Sequence, residues 1–210
     1  MTVDIPNAVE QHMRNAARGA FDESKKMTRS TSANTTDILE LQSAAIDDLT
    51  NDDTDFTLLG NGAGRVVVTH PSFDGFVVKI ATYSPREKQG FSLDGVTQNT
   101  TEAWTWDHAP DSFRDRLTPV CNVLGDGRLL VMPIVETDPD EIPYDEAEAF
   151  VEETLEAVHR EDWYAVELDV NVVGRRDGAL EVFDYGLPIK PRTDLLEESD
   201  YLASLDSLLQ

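Results

Sequence analysis

The apolar run Ala179-Leu180-Glu181-Val182-Phe183 ends in Asp184-Tyr185-Gly186, and this ending constrains the chain more than any other segment. A carboxylate that leaves a buried strand just before a glycine can hold a divalent ion, which takes oxygen ligands, against phosphate groups. Upstream, Val172-Val173-Gly174-Arg175-Arg176-Asp177-Gly178-Ala179-Leu180 reads as a hairpin that delivers the carboxylate.

The rest of the chain must supply a core for that hairpin, and 210 residues with 40% hydrophobic content suffice for one domain with an extension or two small lobes. The formal net charge is −24, from 41 acidic and 17 basic residues. No positive surface for nucleic acid is expected, and an anionic membrane would repel the chain. The acid is spread along the sequence, and lysine is confined to Lys25, Lys26, Lys79, Lys88 and Lys190. Such a composition is typical of a high-salt cytoplasm, where charges are screened over a few ångströms. Cys121 is the single cysteine, so no internal disulfide forms and a reducing compartment is expected. The sequence shows no signal peptide, and no apolar run reaches the roughly 18 residues of a membrane span. A soluble, cytoplasmic protein is the expectation.

Two helices are expected before the first strand. Asn7-Ala8-Val9-Glu10 reads as a capping box, followed by Val9, Met13, Ala16, Ala17, Ala20 and Phe21 at helical spacing. After a polar linker from Thr28 to Thr36, Asp37 with Glu40 opens a second helix with Ile38, Leu41, Ala45 and Leu49 on one face. These helices either dock a protein partner or pack on the lobe that follows. Strands are expected at Phe56–Leu59, Arg65–Thr69 and Phe76–Ile80, a helix over Thr100–Trp106, and strands at Val120–Leu124 and Arg128–Met132 joined by Gly125-Asp126-Gly127. Pro143–Arg160 reads as an amphipathic helix and Thr193–Gln210 as a short one. The domain reading is 1–54 as a helical extension, 55–135 as a sheet-rich lobe and 136–210 as a reduced second lobe.

Three further features carry chemistry. Leu59-Gly60-Asn61-Gly62-Ala63-Gly64-Arg65-Val66 places Gly60, Gly62 and Gly64 between two strands, where backbone N–H groups can approach a phosphate. A tight hairpin alone would explain the same glycines. Lys79 sits in the apolar strand Val77-Val78-Lys79-Ile80-Ala81 and needs a counter-charge or a route to water. Glu102 lies on the next helix, where it serves as a partner for such a lysine or as ordinary helix-dipole compensation.

In this order the segments resemble the N-lobe of the protein-kinase-like superfamily. The resemblance covers roughly Asp55 to Gly186 and implies an α+β fold: an antiparallel N-lobe sheet with one helix, a minimal C-lobe and the N-terminal helical extension. It implies Mg-ATP as cofactor, Lys79 on the phosphates and paired with Glu102, backbone of Met132–Glu136 at an adenine, and Asn171 and Asp184 on the metal. Thirteen positions separate Asn171 from Asp184, as a hairpin between two metal ligands requires. In that register the position of the catalytic aspartate holds Val166, which can neither accept nor orient a proton. Glu167 and Asp169 are the substitutes within reach. The glycine turn is one residue shorter than the kinase pattern. Only residues 187–210 follow Gly186, too few for an activation segment and a helical substrate lobe.

The reduced form is similar to kinase-like proteins of tailed phages, and with the acidic composition it implies a haloarchaeal or haloarchaeal-virus source, in the cytoplasm or, if viral, in host cytoplasm or virion. Three functions follow as expectations: a pseudokinase that binds Mg-nucleotide with impaired or absent phosphotransfer, a structural or virion-associated scaffold, and an active atypical phosphotransferase using Glu167 or Asp169. The four histidines share no ligand spacing, Trp104 and Trp106 read as packing, and Asp47-Asp48 and Asp52-Asp53 read as solvated surface.

Overall fold

A computed structural model describes residues 2–29, 35–51, 53–88, 91–138, 140–165, 168–186 and 189–191. The helical periods come first, as α1 (Asn7–Ala17), a π-helical turn (Arg18–Glu23), α2 (Ser24–Thr28) and α3 (Thr35–Leu49). Period-two segments follow as β1 (Thr57–Asn61), β2 (Arg65–Thr69), β3 (Phe76–Ala81) and the two-residue strands β4 (Glu87–Lys88) and β5 (Phe91–Ser92). The chain continues through α4 (Gly95–His108), α5 (Asp111–Arg114), β6 (Asn122–Leu124), β7 (Leu129–Pro133), α6 (Tyr144–Arg160), β8 (Trp163–Ala165), β9 (Val173–Arg176), β10 (Ala179–Val182) and β11 (Ile189–Pro191). Two units divide these elements: Met1–Asn99 with Cys121–Met132, and Thr100–Val120 with Pro133–Gln210.

In the first unit β1, β2, β3, β7 and β6 form a five-stranded sheet in that order. Val67 of β2 lies across from Lys79, and Val66 and Val68 across from Ile80 and Val78. Valine and isoleucine fill one face, as β-branched side chains do on a pleated surface. Against them pack Met13, Ala16, Ala17 and Ala20 from the first helices and Ile46 and Leu49 from α3, in one apolar core with Val66, Val68, Val78, Ile80, Leu129 and Val131. These residues of the N-terminal helices thus pack on the sheet. Burying each such Val, Leu or Ile contributes about 1.5–3 kcal/mol.

Several local expectations are corrected. Pro6, not Asn7, occupies the N-cap of α1, and no side chain caps that end. Glu10 is drawn instead to Arg14, one turn on, whose Nε donates to its Oε1 at 2.7 Å. The α4 helix starts at Gly95, five residues before Thr100, because Asp94 caps it: Oδ1 accepts from Thr97 N at 3.0 Å and Oδ2 from Thr97 Oγ1 at 2.8 Å. Ile46 joins Ile38 and Leu49 as a buried residue of α3. Residues 30–34 of the expected linker and the expected helix Thr193–Gln210 lie outside the described residues.

In the second unit α6 buries Ala147, Val151, Thr154, Ala157 and Val158. Ile142, Ala147, Val151 and Val173 form an apolar cluster, so the helix seats the β9–β10 hairpin. Trp163 stacks on Trp104 at 5.8 Å between ring centroids and meets the edge of Phe113 at 5.3 Å. Strand β8 pairs with β11 in a second antiparallel ribbon that the sequence reading lacks. Among the described residues, no helix is long and apolar enough to cross a membrane.

Candidate functional site

The three glycines of the β1–β2 turn divide into two kinds. A Cβ at Gly64 would fall 2.0 Å from the Leu93 carbonyl oxygen, and one at Gly95 would fall 2.0 Å from the Gly64 carbonyl oxygen. That carbonyl accepts from Thr82 N at 2.7 Å, while Gly95 N donates to the Thr82 oxygen at 2.9 Å. Gly64 therefore lets the turn close against the start of α4. At Gly60 a Cβ would meet nothing within 4 Å, and at Gly62 only the Arg65 oxygen at 3.7 Å. The steric demand of this turn is met at Gly64 alone.

Lys79 is 4% exposed on β3. An ammonium at that depth is tolerated only when paired. Its strand is held by Asn99 of α4, whose Nδ2 donates to the Lys79 oxygen at 3.2 Å and to the Gly127 oxygen at 2.9 Å.

In the second unit, Glu102 is fully buried on α4 and its Oε1 accepts from the backbone N–H of Tyr185 at 3.2 Å. The helix glutamate is thereby fixed on the segment that follows the hairpin. Tyr185 is 1% exposed, and its hydroxyl donates to the Thr118 oxygen at 2.5 Å. Thr118 N in turn donates to the Val182 oxygen at 2.8 Å, and Val182 N to the Arg116 oxygen at 2.8 Å. Asp184 is half-buried at the end of this braced strand.

Asn171 and Asp184 flank the β9–β10 hairpin in the chain. Val173 and Val182 are the last paired residues of β9 and β10. Phe183 N donates to the Val172 oxygen at 2.9 Å, which extends the ladder by one. Asn171, in the 3-10 turn that precedes β9, and Asp184, two residues after β10, come next in the chain, and both carry the oxygen donors that a hard cation such as Mg²⁺ takes. Among the described residues, no group of three or more His, Cys, Asp or Glu side chains gathers as a metal site. Two oxygen donors suit Mg²⁺ bound with substrate phosphates and water, which needs no all-protein cage.

Asp169 is otherwise occupied. Its Oδ1 accepts from Asn171 N at 2.8 Å and caps the short 3-10 turn Val170–Val172. A carboxylate used as a cap is held in place by that hydrogen bond. Val166 and Glu167 lie outside the described residues. In the Met132–Glu136 stretch, Glu136 exchanges both backbone bonds with Arg175, at 2.9 and 2.8 Å.

Sequence reading missed a second grouping, in the first unit. Arg18, Asp22, Lys25, Lys26, Arg29 and Arg128 line one cavity of about 420 Å³. The signal was present in the sequence, since positions 18, 22, 25, 26 and 29 recur at helical spacing.

No family model and no curated protein matches the sequence. Among solved structures the chain is similar to WbdD, with 11% identity over 77% of this chain and 47% of that one and a TM-score of 0.46. The kinase domain of PknI from M. tuberculosis shares 19% identity over 65% of this chain and 60% of its own, at a TM-score of 0.35. The Legionella pneumophila Lpg2603 kinase, bound to IP6, shares 14% identity over 70% and 54%, at 0.41. The chain spans less than two thirds of the length of each of these structures. With scores below 0.5 the likenesses add no weight to what the chain's own elements show. Those elements are a mixed α/β set with a five-stranded antiparallel sheet, a glycine turn before a lysine strand, a glutamate helix, a second hairpin and an Asp-Tyr-Gly ending.

Proposed function

We propose that the chain is a degenerate kinase-like protein that binds a Mg-nucleotide and transfers phosphate weakly or not at all. The observation that supports this reading is the β9–β10 hairpin, flanked in the chain by Asn171 and Asp184, with the Tyr185 N–H after Asp184 held by Glu102. Asp184 and Asn171 would hold the magnesium ion, and Lys79 and the backbone N–H groups near Gly60 and Gly62 would serve phosphate oxygens. The ion, when bound, neutralises phosphate charge. Weak transfer follows from Val166 at the acid–base position and from the capping role of Asp169. Losing a positioned acid–base group costs about 10²–10⁴ in rate.

The acidic composition supports a haloarchaeal or haloarchaeal-virus source, with a structural or virion-associated scaffold as the alternative role. Melting with and without Mg-ATP separates the two, because binding at 100 times Kd adds about 2.7 kcal/mol to the folded state. A shift in the wild type that Lys79→Ala abolishes supports the nucleotide reading; no shift in either leaves the scaffold. The atypical phosphotransferase requires transfer that disappears in Glu167→Gln or Asp169→Asn.

A further inference from the structure

Five of the 17 basic residues of this chain face one cavity, in a protein with 41 acidic residues. Arg18, Lys25, Lys26 and Arg29 come from the run of α1, the π-turn and α2, and Arg128 from the end of the β6–β7 turn. Holding five like charges together is unfavourable, and a chain with surplus carboxylates has every opportunity to interleave them. That has not happened here. Among the described residues, Asp22 is the one carboxylate lining the cavity, and Arg128 engages it through Nε at 3.0 Å and Nη2 at 2.7 Å. This pairing raises the Arg128 pKa above its ordinary value, so the guanidinium is a fixed charge. Arg18 reaches Glu23 only at 3.5 Å with both side chains exposed, a contact of little strength. Among the described residues, no carboxylate pairs with Lys25, Lys26 or Arg29.

The cluster is also braced from beneath. Phe21, 4% exposed, carries Lys25 Nζ at 5.1 Å and Arg128 Cζ at 6.0 Å from its ring centroid. Tyr83 meets the same ring edge-on at 6.1 Å. The π-turn is sealed by Ser24 Oγ donating to the Gly19 oxygen at 3.1 Å. A Cβ at Gly19 would lie 2.8 Å from Ala45 Cβ, so this turn sits hard against α3. Single π-turns of this kind are rare and recur at functional sites.

We propose that this cavity binds a small anion carrying two or more adjacent phosphate groups. Arginine forks match phosphate oxygens in pairs and lysines add point charges, so several phosphate oxygens satisfy several cations at once. A lone carboxylate would engage one or two of them. The volume is that of a small-molecule site. A long polyanion is disfavoured, because beyond the cavity it meets a chain of net charge −24. The site uses none of the residues assigned to the Mg-nucleotide and stands or falls independently of it.

The test is calorimetric titration of the full chain with inorganic tripolyphosphate, without magnesium, at fixed ionic strength. Wild type is expected to saturate at one equivalent. Lys26→Gln with Arg29→Gln, both exposed and therefore neutral to the fold, is expected to weaken binding tenfold or more, and Arg160→Gln, an exposed arginine outside the cavity, to leave it unchanged. Magnesium-free ATP distinguishes the source: equal binding points to a nucleotide's phosphate tail, and exclusion to a free oligophosphate. Absence of a saturable signal, equal binding by the double variant, or displacement by sulfate at matched ionic strength would overturn the proposal.

Discussion

The backbone N–H of Tyr185 donates to Oε1 of Glu102 at 3.2 Å, in a place where neither residue is more than 1% exposed. One buried carboxylate thereby ties the middle of α4 to the residue after Asp184. Removing it strands a buried donor, which costs about 1–3 kcal/mol. Glu102→Ala is expected to lower unfolding stability by at least that amount. Glu102→Gln keeps an oxygen acceptor for Tyr185 and separates the hydrogen bond from the charge. Equal stability of Glu102→Ala and wild type in urea denaturation would contradict this role.

Tyr185→Phe removes one buried hydroxyl and leaves the ring. The lost bond to the Thr118 oxygen is expected to cost about 1 kcal/mol, read as a lowered denaturation midpoint with an unchanged slope. An unchanged midpoint would show that the hydroxyl contributes nothing there.

The glycine turn gives opposite expectations at two positions four residues apart. Gly64→Ala forces a methyl group against backbone and is expected to destabilise by at least about 1–3 kcal/mol, the usual cost of overpacking. Gly60→Ala meets open space and is expected to fold normally. It therefore isolates any effect on nucleotide affinity from an effect on the fold. Comparable melting of the two variants would contradict the close approach of Gly64 to Leu93.

Net charge sets a further expectation. With −24 charges on 210 residues, self-repulsion weakens as salt shortens the screening length from about 10 Å at 0.1 M to about 3 Å at 1 M. The melting temperature is expected to rise with KCl across that range. A fall would remove the physical basis of the high-salt reading.

Turn chemistry made much of this legible before any coordinates. Asp177 and Gly178 have positive φ, 52° and 86°, as a two-residue hairpin turn demands, and both hairpins lie where the sequence puts them. What escaped had weak local signals. The first turns of α4, with Gly95, Val96, Thr97, Asn99 and Thr100, are rich in poor helix formers, and the cap at Asp94 outweighs them. Pairing of Trp163–Ala165 with Ile189–Pro191 joins three-residue strands far apart in sequence, which no local period reveals. The capping box at Asn7 failed because Pro6, with no N–H and a fixed φ, already ends the extended chain there. The cationic stripe at 18, 25, 26 and 29 was hidden by the excess of acid elsewhere.

The most direct test of the central claim is the dissociation constant of ATP with and without magnesium, for wild type and Asp184→Ala. The account predicts saturable, magnesium-dependent binding in the wild type, weakened about tenfold or more, or about 1.4 kcal/mol, by Asp184→Ala. Binding that is absent, or indifferent to both magnesium and Asp184, would contradict it.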